Sequence, residues 1–416
     1  MRRGGVPRGR VLFPLPRHRS GHGFAPGRAA RGDRRRGGGA CLDVPDTVIV
    51  GGGVIGSSIA YHLARLGAAV TVYDPAGGPD SPSATWASAG GVRSQNRDPR
   101  EWALTVEAAG RWPTLAEELE APTGFRREGQ LRVVERASDL PPVEERVRHE
   151  RAAGIDVHMV GPAEMAELAP GLIEGLVGGS YTPGDGQADP PATARAFAGA
   201  ARRHGASFHI EPVDTIEVRD GAVQGIVARG RSVPAGLVVL AAGAWSVEMA
   251  SSAGLRLPIE AIALQMLLTD PGPPARLPTV TAEGAVLSLK QLEGGELLVG
   301  GGWPAAVDRD PLACHVTDQS RDGNWALAAR IYPAAAERRI ARSWCGVESR
   351  SLDGVPLLGP LERPRGLWVA VGFSGHGFQL SPAIGRALAD QLAGKSVPAL
   401  DGLSAARAAG ETEART

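Results

Sequence analysis

The sequence predicts an α/β protein organised around a parallel sheet, and three neighbouring features carry this prediction. Thr47–Val50 is a short apolar run of the kind found in buried parallel strands. A G-x-G-x-x-G pattern follows it directly, and residues 57–66 then repeat apolar side chains at helical spacing. A second apolar run, Ala69–Tyr73, ends at Asp74. A strand, a glycine turn, a helix, a strand and an acid in this order predict a βαβ unit that binds a dinucleotide.

The glycines of this turn, Gly51, Gly53 and Gly56, have separate tasks. The first permits the tight turn, the second lets the backbone approach a pyrophosphate, and the third lets helix and strand pack closely. The N-terminus of the helix offers N–H groups and a partial positive charge to the phosphates. The acid that ends the second strand is placed to accept hydrogen bonds from ribose hydroxyls. The alternative is a glycine-rich βα turn without a ligand.

Length, charge and composition exclude several classes of protein. A chain of 416 residues allows one large domain or two intimate ones. Its formal net charge is zero, so nothing favours nucleic acid or an anionic membrane as a partner. No apolar run reaches the ~18 residues of a membrane-spanning helix. Cys41, Cys314 and Cys345 show neither C-x-x-C nor zinc spacing, which predicts no metal site and a reducing, cytoplasmic location.

Residues 1–43 are expected to form a disordered extension outside the fold. They hold eleven arginines and only two acids, Asp33 and Asp43, without an apolar period. A dispensable segment, which starts at a codon placed too far upstream, is the favoured interpretation. A transit peptide and an RNA-binding arm are the alternatives.

The remaining chain alternates helix and strand patterns in a way that interrupts the nucleotide-binding unit. Helical periods cover 102–119, 143–153, 163–169, 192–204, 324–332 and 382–393. Strand patterns cover 129–135, 157–160, 207–210, 212–218, 222–228, 237–241, 258–269, 285–303 and 367–371. The predicted nucleotide-binding domain comprises 44–130, 184–250 and 345–400, the second domain comprises 131–183 and 251–344, and 401–416 form a C-terminal tail.

Four stretches carry a resemblance to a known family: GGGVIGSSIAYHLARLG, SATWASAGGVRSQ, DGQADPPATARAFAGAARRHGA with VVLAAGAWS, and WCGVESRSLDGVPLLG with GLWVAVGFSGHGFQLSPAIG. From about residue 46 to residue 395 the chain resembles the FAD-dependent oxidoreductases of the D-amino-acid oxidase superfamily, in the branch of sarcosine oxidase, glycine oxidase and related amino-acid dehydrogenases. The resemblance implies a FAD-binding, Rossmann-like domain of the glutathione-reductase type with an inserted, mainly antiparallel α+β substrate domain.

The resemblance also implies which residues contact FAD. The glycine turn would hold the pyrophosphate, and the Pro382–Ala393 helix would direct its N-terminus at the flavin, where it would stabilise negative charge on the reduced ring. The implied cofactor contacts are Gly51, Gly53, Val54, Ile55, Gly56, Asp74, Ser88, Ala89, Gly90, Gly91, Val213, Ala242, Gly243, Trp245, Gly375, His376, Gly377, Phe378 and Gln379.

Departures from the family pattern favour non-covalent FAD. Some relatives attach the flavin through a histidine after Thr-Trp, where this chain has Ala87. Others use a cysteine upstream of the Leu-Asp-Gly stretch; the matching place here is Gly346, with Cys345 one residue away. Cys345 is therefore expected to be a small buried residue, and a flavin link is the alternative.

The resemblance leaves five candidates for the substrate site: His376, Arg93, Glu348, Gln379 and Arg350. Relatives bind the substrate carboxylate with an arginine in a G-x-R pattern, where this chain has Glu348, or with a lysine after G-H-G-F, where it has Gln379. Arg93 and Arg350 are then the nearest guanidinium groups for a carboxylate. Each is alternatively a solvated or phosphate-facing arginine. Glu348 would orient an ammonium or a water molecule, or would pair with Arg350.

The implied activity is oxidation of a C–N bond in a small amine or an N-methyl, cyclic or D-amino acid, by hydride transfer to flavin N5 and hydrolysis of the imine. A quinone, an electron-transfer protein or O₂ would accept the electrons. A dehydrogenase is favoured because Leu298 stands where sarcosine oxidases have an oxygen-activating lysine, and Lys290 lies at a different strand position. The alternatives are an NAD(P)-dependent dehydrogenase and a non-catalytic or assembly-factor flavoprotein of the same fold.

Overall fold

Two sheets organise the protein, whose computed structural model describes residues 46–78, 83–275, 277–309 and 312–408. These residues belong to one unit, Cys41–Thr416. The predicted extension, 1–43, lies outside the described residues, as do 409–416 of the predicted tail.

The strands in chain order are β1 Thr47–Val50, β2 Val70–Asp74, β3 Gly91–Val92, β4 Gln130–Val134, β5 His158–Val160, β6 Gly178–Thr182, β7 Gly186–Gln187, β8 Ser207–Ile210, β9 Val213–Arg219, β10 Ala222–Ala228, β11 Arg231–Pro234, β12 Leu237–Leu240, β13 Ile259–Thr269, β14 Thr279–Ala282, β15 Ala285–Gln291, β16 Leu297–Gly300, β17 Ala306–Arg309, β18 Leu312–His315, β19 Ile340–Ser351, β20 Leu357–Pro360 and β21 Leu367–Val371. The α-helices are α1 Val54–Arg65, α2 Ala84–Ala87, α3 Trp102–Arg111, α4 Leu115–Glu118, α5 Leu140–Ala152, α6 Pro162–Leu168, α7 Pro190–Arg203, α8 Ser246–Ser252, α9 Asp318–Ile331 and α10 Gly377–Leu392.

The first sheet has six strands in the order β20-β21-β12-β1-β2-β8, parallel except for the edge strand β20. All four residues of β1 are buried, as expected for a parallel strand covered on both faces. Helix α1 contacts α7 and α10, and Ile59, Phe197 and Ile384 of these helices share one core with Ile49. The predicted βαβ unit and the α/β fold class are thereby confirmed.

The second sheet has eight strands in the order β19-β13-β16-β15-β14-β4-β6-β5. Its pairs are antiparallel except for β4 with β14. Leu131, Val280, Leu289 and Val299 are fully buried in the core on one face, where α9 contacts β13, β15 and β16. The second, mainly antiparallel sheet is thus as predicted.

The structure corrects two of the predicted boundaries. β19 pairs with β13 from Ile340 to Ser351, so residues 345–351 belong to the second sheet and not to the nucleotide-binding domain. The main-chain pairing with the long strand β13 determines this, and the sequence of β19 alone does not reveal its partner. Residues 401–408 are also part of the body of the protein, because Leu403 and Ala405 are fully buried in its cores.

Prolines explain where two predicted helices differ from the observed ones. The pattern at 102–119 is broken after Arg111, where Pro113 sits in a short 3₁₀ turn. The last helix begins at Gly377, five residues before the predicted start at Pro382. Pro382 cannot donate to the carbonyl of Phe378, but the Ser381 hydroxyl donates to it at 2.8 Å, so the helix continues through the proline.

Candidate functional site

A cavity of about 870 Å³ is lined by residues of both sheets. The first-sheet side contributes the ends of β1 and β2 and the starts of α1 and α10, and the second-sheet side contributes β4, β13, β14 and β15. Ligands of α/β sheets bind at such carboxyl ends of strands. Of the predicted cofactor contacts, the cavity is lined by Gly51, Gly53, Val54, Ile55, Asp74, Ser88, Ala89, Gly91, Val213, Ala242, Gly243, Trp245, Gly375, His376, Gly377 and Phe378.

The glycine turn forms a cradle that side chains would fill. Gly51 has a φ of 107°, and a Cβ there would collide with the carbonyl of Ala241. A Cβ on Gly56 would collide with the carbonyl of Gly51, so Gly56 packs behind the turn and does not line the cavity. Gly53 is the N-cap of α1 and opens onto the cavity. This backbone fits a pyrophosphate, because the helix N-terminus faces the space that the glycines leave.

Asp74 has a second role, which its position at the end of β2 does not reveal. Its carboxylate accepts hydrogen bonds from the backbone N–H groups of Gly52 at 2.9 Å, Ala76 at 3.0 Å and Gly78 at 2.8 Å. It therefore ties the glycine turn to the turn that follows β2. Two carboxylate oxygens offer about four acceptor positions, so one remains for a ribose hydroxyl at the cavity.

The segment predicted to line the flavin ring, residues 88–91, is held in place by hydrogen bonds from Gly90 and Lys290. Gly90 does not line the cavity; its N–H donates to Ser88 Oγ at 3.0 Å. The ammonium of Lys290 donates to the carbonyl of Ala89. Lys290 is fully buried, and this burial lowers the pKa of its ammonium to about 7. Lys290 is in β15 and lies opposite Leu298 of β16. A lysine from β15, the strand next to that of Leu298, therefore contacts residues 88–91.

Two of the predicted substrate residues do not reach the cavity. The buried Gln379 side chain donates to the carbonyl of Thr105 at 3.2 Å, because the early start of α10 turns it toward α3. The exposed Arg350 side chain forms an ion pair with Glu260, in which Nε lies 2.8 Å from Oε1. Both residues are therefore removed from the candidate site.

Glu348 does line the cavity, and it does not pair with Arg350. Its carboxyl accepts a hydrogen bond from the backbone N–H of Gly375, at the turn before α10. Burial raises the pKa of this carboxyl to about 7. At neutral pH the group is therefore divided between its acid and its base form, which suits proton exchange with an amine.

His376 lines the cavity and is held by a carboxylate that was not among the predicted site residues. Its Nδ1 lies 2.9 Å from Oε2 of Glu101, a fully buried side chain. Burial, together with the charge of Arg97, lowers the pKa of His376 to about 4, so the ring is neutral at pH 7. A neutral ring that donates through Nδ1 keeps a lone pair on Nε2. No sequence pattern connects Glu101 with a histidine so distant in the chain.

Three guanidinium groups line the second-sheet end of the cavity: Arg93, which was predicted, and Arg97 and Arg132, which were not. Arg97 donates through Nη2 and Nε to the carbonyl of Arg93, at 2.9 and 3.2 Å. Burial and the charges of the other two lower the pKa of Arg93 to about 9, so it stays cationic at neutral pH. Strand alternation places Arg132 on the same face of β4 as Gln130, but the sequence of β4 alone does not show that this face lines a cavity.

Cys345 faces away from the cavity, and its thiol lies within hydrogen-bonding reach of the Cys314 thiol. Gly346, which lines the cavity, has no side chain to react. Since successive side chains of a strand point to opposite faces, the one-residue offset removes the thiol from the site. This geometry supports the prediction that FAD is held without a covalent bond.

Within the described ranges, no helix has both the length and the apolar character that crossing a membrane would require. The same residues contain no group of three or more His, Cys, Asp or Glu side chains arranged to hold a metal ion.

Comparison with known proteins agrees with the geometry. Glycine oxidase from Geobacillus kaustophilus (strain HTA426) is 29% identical over 355 residues, which cover 83% of this chain and 92% of that protein. Sarcosine oxidase subunit beta from Arthrobacter sp is 28% identical over 373 residues, covering 86% of this chain and 89% of that protein. The solved structure of L-proline dehydrogenase from P. horikoshii has a TM-score of 0.80 at 25% identity, covering 87% of this chain and 97% of that one.

A whole-family comparison gives the same result. Residues 46–391, which span both sheets and every element that lines the cavity, match the family described as FAD dependent oxidoreductase. The predicted resemblance and the predicted FAD cofactor are confirmed. This chain belongs to the FAD-dependent oxidoreductase family of D-amino-acid oxidase type.

Proposed function

We propose that this protein oxidises the C–N bond of a small amino acid or N-substituted amino acid and that its cavity brings FAD and substrate together. One observation supports this most directly. The same cavity carries a glycine cradle for a pyrophosphate on the first-sheet side and three guanidinium groups on the second-sheet side. The relatives are named for the oxidation of glycine, sarcosine and L-proline, which are all small amino acids.

FAD would lie along the first sheet, held at the pyrophosphate by the turn of Gly51 and Gly53 and at the ribose by Asp74. When bound, FAD supplies the two-electron acceptor for the hydride that leaves the substrate carbon. The backbone around Ala89 and the start of α10 would face its ring. The partial positive charge at the α10 N-terminus, at Gly377, would favour negative charge there.

The side chains between the two ends of the cavity would prepare the amine. An amine must lose its ammonium proton before its C–H bond can be oxidised. Glu348, whose pKa is about 7, can accept that proton, and the neutral ring of His376 can hold the nitrogen through Nε2. Arg93 would bind the substrate carboxylate and so fix the position of the carbon that loses hydride.

We propose that the protein acts as a dehydrogenase in preference to an oxidase, with a quinone or an electron-transfer protein as acceptor. Leu298 is apolar at the place of the oxygen-activating lysine. Lys290 on the neighbouring strand donates to a carbonyl, does not line the cavity, and loses its charge near pH 7. The cytoplasmic location predicted from the sparse cysteines is retained as part of this proposal.

The test is anaerobic mixing of the purified holoprotein with sarcosine, glycine, L-proline and D-amino acids while the flavin absorbance near ~450 nm is followed. Bleaching by at least one of them is expected. 2-Aminoisobutyrate, which has no C–H bond on its α-carbon, is the matched control and leaves the spectrum unchanged. A flavin that none of a broad amine set reduces would contradict the proposal and favour the non-catalytic alternative.

A further inference from the structure

The two ring nitrogens of His376 have different surroundings. Nδ1 lies 2.9 Å from Oε2 and 3.3 Å from Oε1 of Glu101, whose side chain has no exposed surface. Nε2 makes no hydrogen bond within the described residues, and it is not among their buried unpartnered atoms, so it retains accessible surface. The ring lines the cavity, and 19% of the side chain is exposed. Nε2 is therefore the ring nitrogen that a ligand in the cavity can reach.

The backbone places both members of the Glu101–His376 pair at the start of a helix. Glu101 ends a 3₁₀ turn that Asp98 caps, and α3 begins at the next residue. His376 is the N-cap of α10, and its backbone N–H donates to the carbonyl of Phe373 at 2.9 Å. The contact between the two side chains is therefore set by the approach of α3 and α10, which pack against each other.

The charges around the pair assign the ring proton. The charge of Glu101 acts on the guanidinium groups of Arg97 and Arg93, so that the carboxylate belongs to a set of alternating charges. An ionised carboxylate only accepts hydrogen bonds, so Nδ1 must carry the proton that it donates to Glu101. Burial and the charge of Arg97 lower the pKa of His376 to about 4. At pH 7 the ring is therefore neutral, and Nε2 has a lone pair and no proton.

An acceptor in this position distinguishes amines by their N–H groups. Once the ammonium proton has passed to Glu348, a primary amine retains two N–H groups and a secondary amine retains one. A tertiary amine retains none and would leave Nε2 of His376 without a donor. A site that is built to accept an N–H group rejects an analogue that lacks it, because the polar atom of the site is then left unpaired.

We propose that the substrate is a primary or secondary amine whose N–H group donates to Nε2 of His376, and that tertiary amines are poor substrates. Glu101 is a positioning residue for this contact, because it does not line the cavity and acts by holding the proton on Nδ1. This inference rests on the proposed function and narrows its substrate class.

Two isomers test the requirement for an N–H group without a change in size. N-ethylglycine and N,N-dimethylglycine contain the same atoms and one carboxylate each, but only the first keeps an N–H group as a neutral amine. The kcat/KM of the wild-type holoprotein should be at least about tenfold higher for N-ethylglycine. Equal values, or a preference for N,N-dimethylglycine, would overturn the inference. This comparison needs no variant.

NMR measures the position of the ring proton directly. The nine histidines are labelled with ¹⁵N in their rings, and the signal that disappears in His376→Gln assigns the ring of interest. In the wild type at pH 7, Nδ1 of His376 should carry the proton. In Glu101→Met, which has no acceptor, this preference should be lost. A wild-type ring that is protonated on Nε2 would overturn the proposed contact.

Two variants of Glu101 separate its acceptor from its volume. Glu101→Gln keeps an oxygen that can accept from Nδ1, and it should retain the preference for N-ethylglycine. Glu101→Met fills a similar space without an acceptor, and its kcat/KM ratio for the two isomers should fall below about threefold. FAD content and melting temperature verify that both variants fold. A ratio that Glu101→Met leaves unchanged would overturn the role of Glu101.

A surface histidine–glutamate pair provides the matched control. His158 Nε2 lies 3.4 Å from Glu164 Oε1, and the side chain of Glu164 is 48% exposed. Neither residue lines the cavity. Glu164→Met should therefore leave the kcat/KM ratio of the two isomers unchanged, and a loss of the ratio in this variant would contradict the assignment to Glu101.

Failure of this inference and failure of the proposed function give different results. If both isomers bleach the flavin equally well, the oxidation stands and the N–H requirement fails. If no amine bleaches the flavin, the oxidation fails, and the two isomers are compared as ligands by titration of the flavin spectrum. Tighter binding of N-ethylglycine would then support the contact with His376, and equal binding would overturn it.

Discussion

At the scale of single residues, burial changes the pKa values of two groups that line the cavity, Glu348 and His376, in opposite directions. It raises the pKa of the Glu348 carboxyl to about 7 and lowers that of His376 to about 4. Both changes have one cause, because burial disfavours whichever form is charged. At neutral pH the cavity is therefore lined by an uncharged imidazole and by a carboxyl that exchanges its proton readily. Neither property is visible in the residue type.

The raised pKa of Glu348 predicts how stability depends on pH. Between pH 4.5, the ordinary value, and about 7, the folded protein binds more protons at this group than the unfolded chain does. The stabilisation from the protonated form is complete below pH 4.5 and is lost as the pH rises through 7. The quantity to follow is the free energy of unfolding of the wild type minus that of Glu348→Gln. From pH 4.5 to pH 7 this difference should fall by about 1–2 kcal/mol. The expected fall is smaller than the full pKa shift implies, because the carboxyl is in part exposed.

Urea unfolding of the holoprotein at several pH values measures this difference. Glu293→Gln is the control, since its side chain is 93% exposed, and it should show no such trend. A difference between wild type and Glu348→Gln that stays flat or grows with pH would contradict the assigned pKa.

At the scale of elements, the residue at which a helix starts determines which of its side chains face the cavity. The rule that proline favours the first turn of a helix predicts a start at Pro382, and that prediction is wrong. Ser381 and Ser58 supply hydroxyl groups at the proline, to the carbonyls of Phe378 and Ser381, so the helix reaches back to Gly377. The prediction for Gln379 fails for the same reason. The contact from Ser58 joins two segments that are distant in sequence, so no local pattern contains it.

Two helix N-caps allow a matched test of the phosphate cradle. Gly53 caps α1 and Gly161 caps α6, both with extended backbone. A Cβ on Gly53 would stand 3.2 Å from Thr85 Oγ1 at the cavity, whereas one on Gly161 meets nothing within 4 Å. Gly53→Val should therefore yield colourless protein with FAD occupancy reduced by at least about tenfold, because the branched side chain fills the place of the pyrophosphate. Gly161→Val should keep its FAD.

FAD occupancy is measured by the ratio of flavin to protein absorbance after gel filtration, and circular dichroism verifies folding. Full FAD retention in Gly53→Val would contradict the assignment of this turn to the pyrophosphate.

At the scale of the whole molecule, the sequence predicted those parts of the fold that depend on short, local patterns. The first sheet follows from β1, the glycine turn and β2, which lie within thirty residues of one another. The site, in contrast, forms where the two sheets approach each other, so several of its residues could not be predicted from local patterns. Glu101 meets His376 and Arg132 approaches Arg93 only in the folded chain. The pairing of β15 with β16 likewise brings Lys290 opposite Leu298. These residues are far apart in the sequence, or on different strands, and only the fold brings them together.

This arrangement of the two sheets leads to a prediction about the electron acceptor. A fixed cation beside the flavin would stabilise the negative charge that develops on dioxygen. Leu298 supplies none, and the buried Lys290 ammonium is held by the carbonyl of Ala89 and loses its charge near pH 7. The missing stabilisation should raise the barrier to O₂ reduction by about 3 kcal/mol, roughly a hundredfold in rate. Stopped-flow reoxidation of the reduced holoprotein should therefore be slow in air-saturated buffer and fast with a soluble quinone.

Leu298→Lys should accelerate the reaction with oxygen alone, and Lys290→Met should leave the quinone reaction unchanged. Reoxidation by O₂ as rapid as substrate-driven reduction would show that another cation reaches the flavin, and Arg93 would then be the first residue to replace.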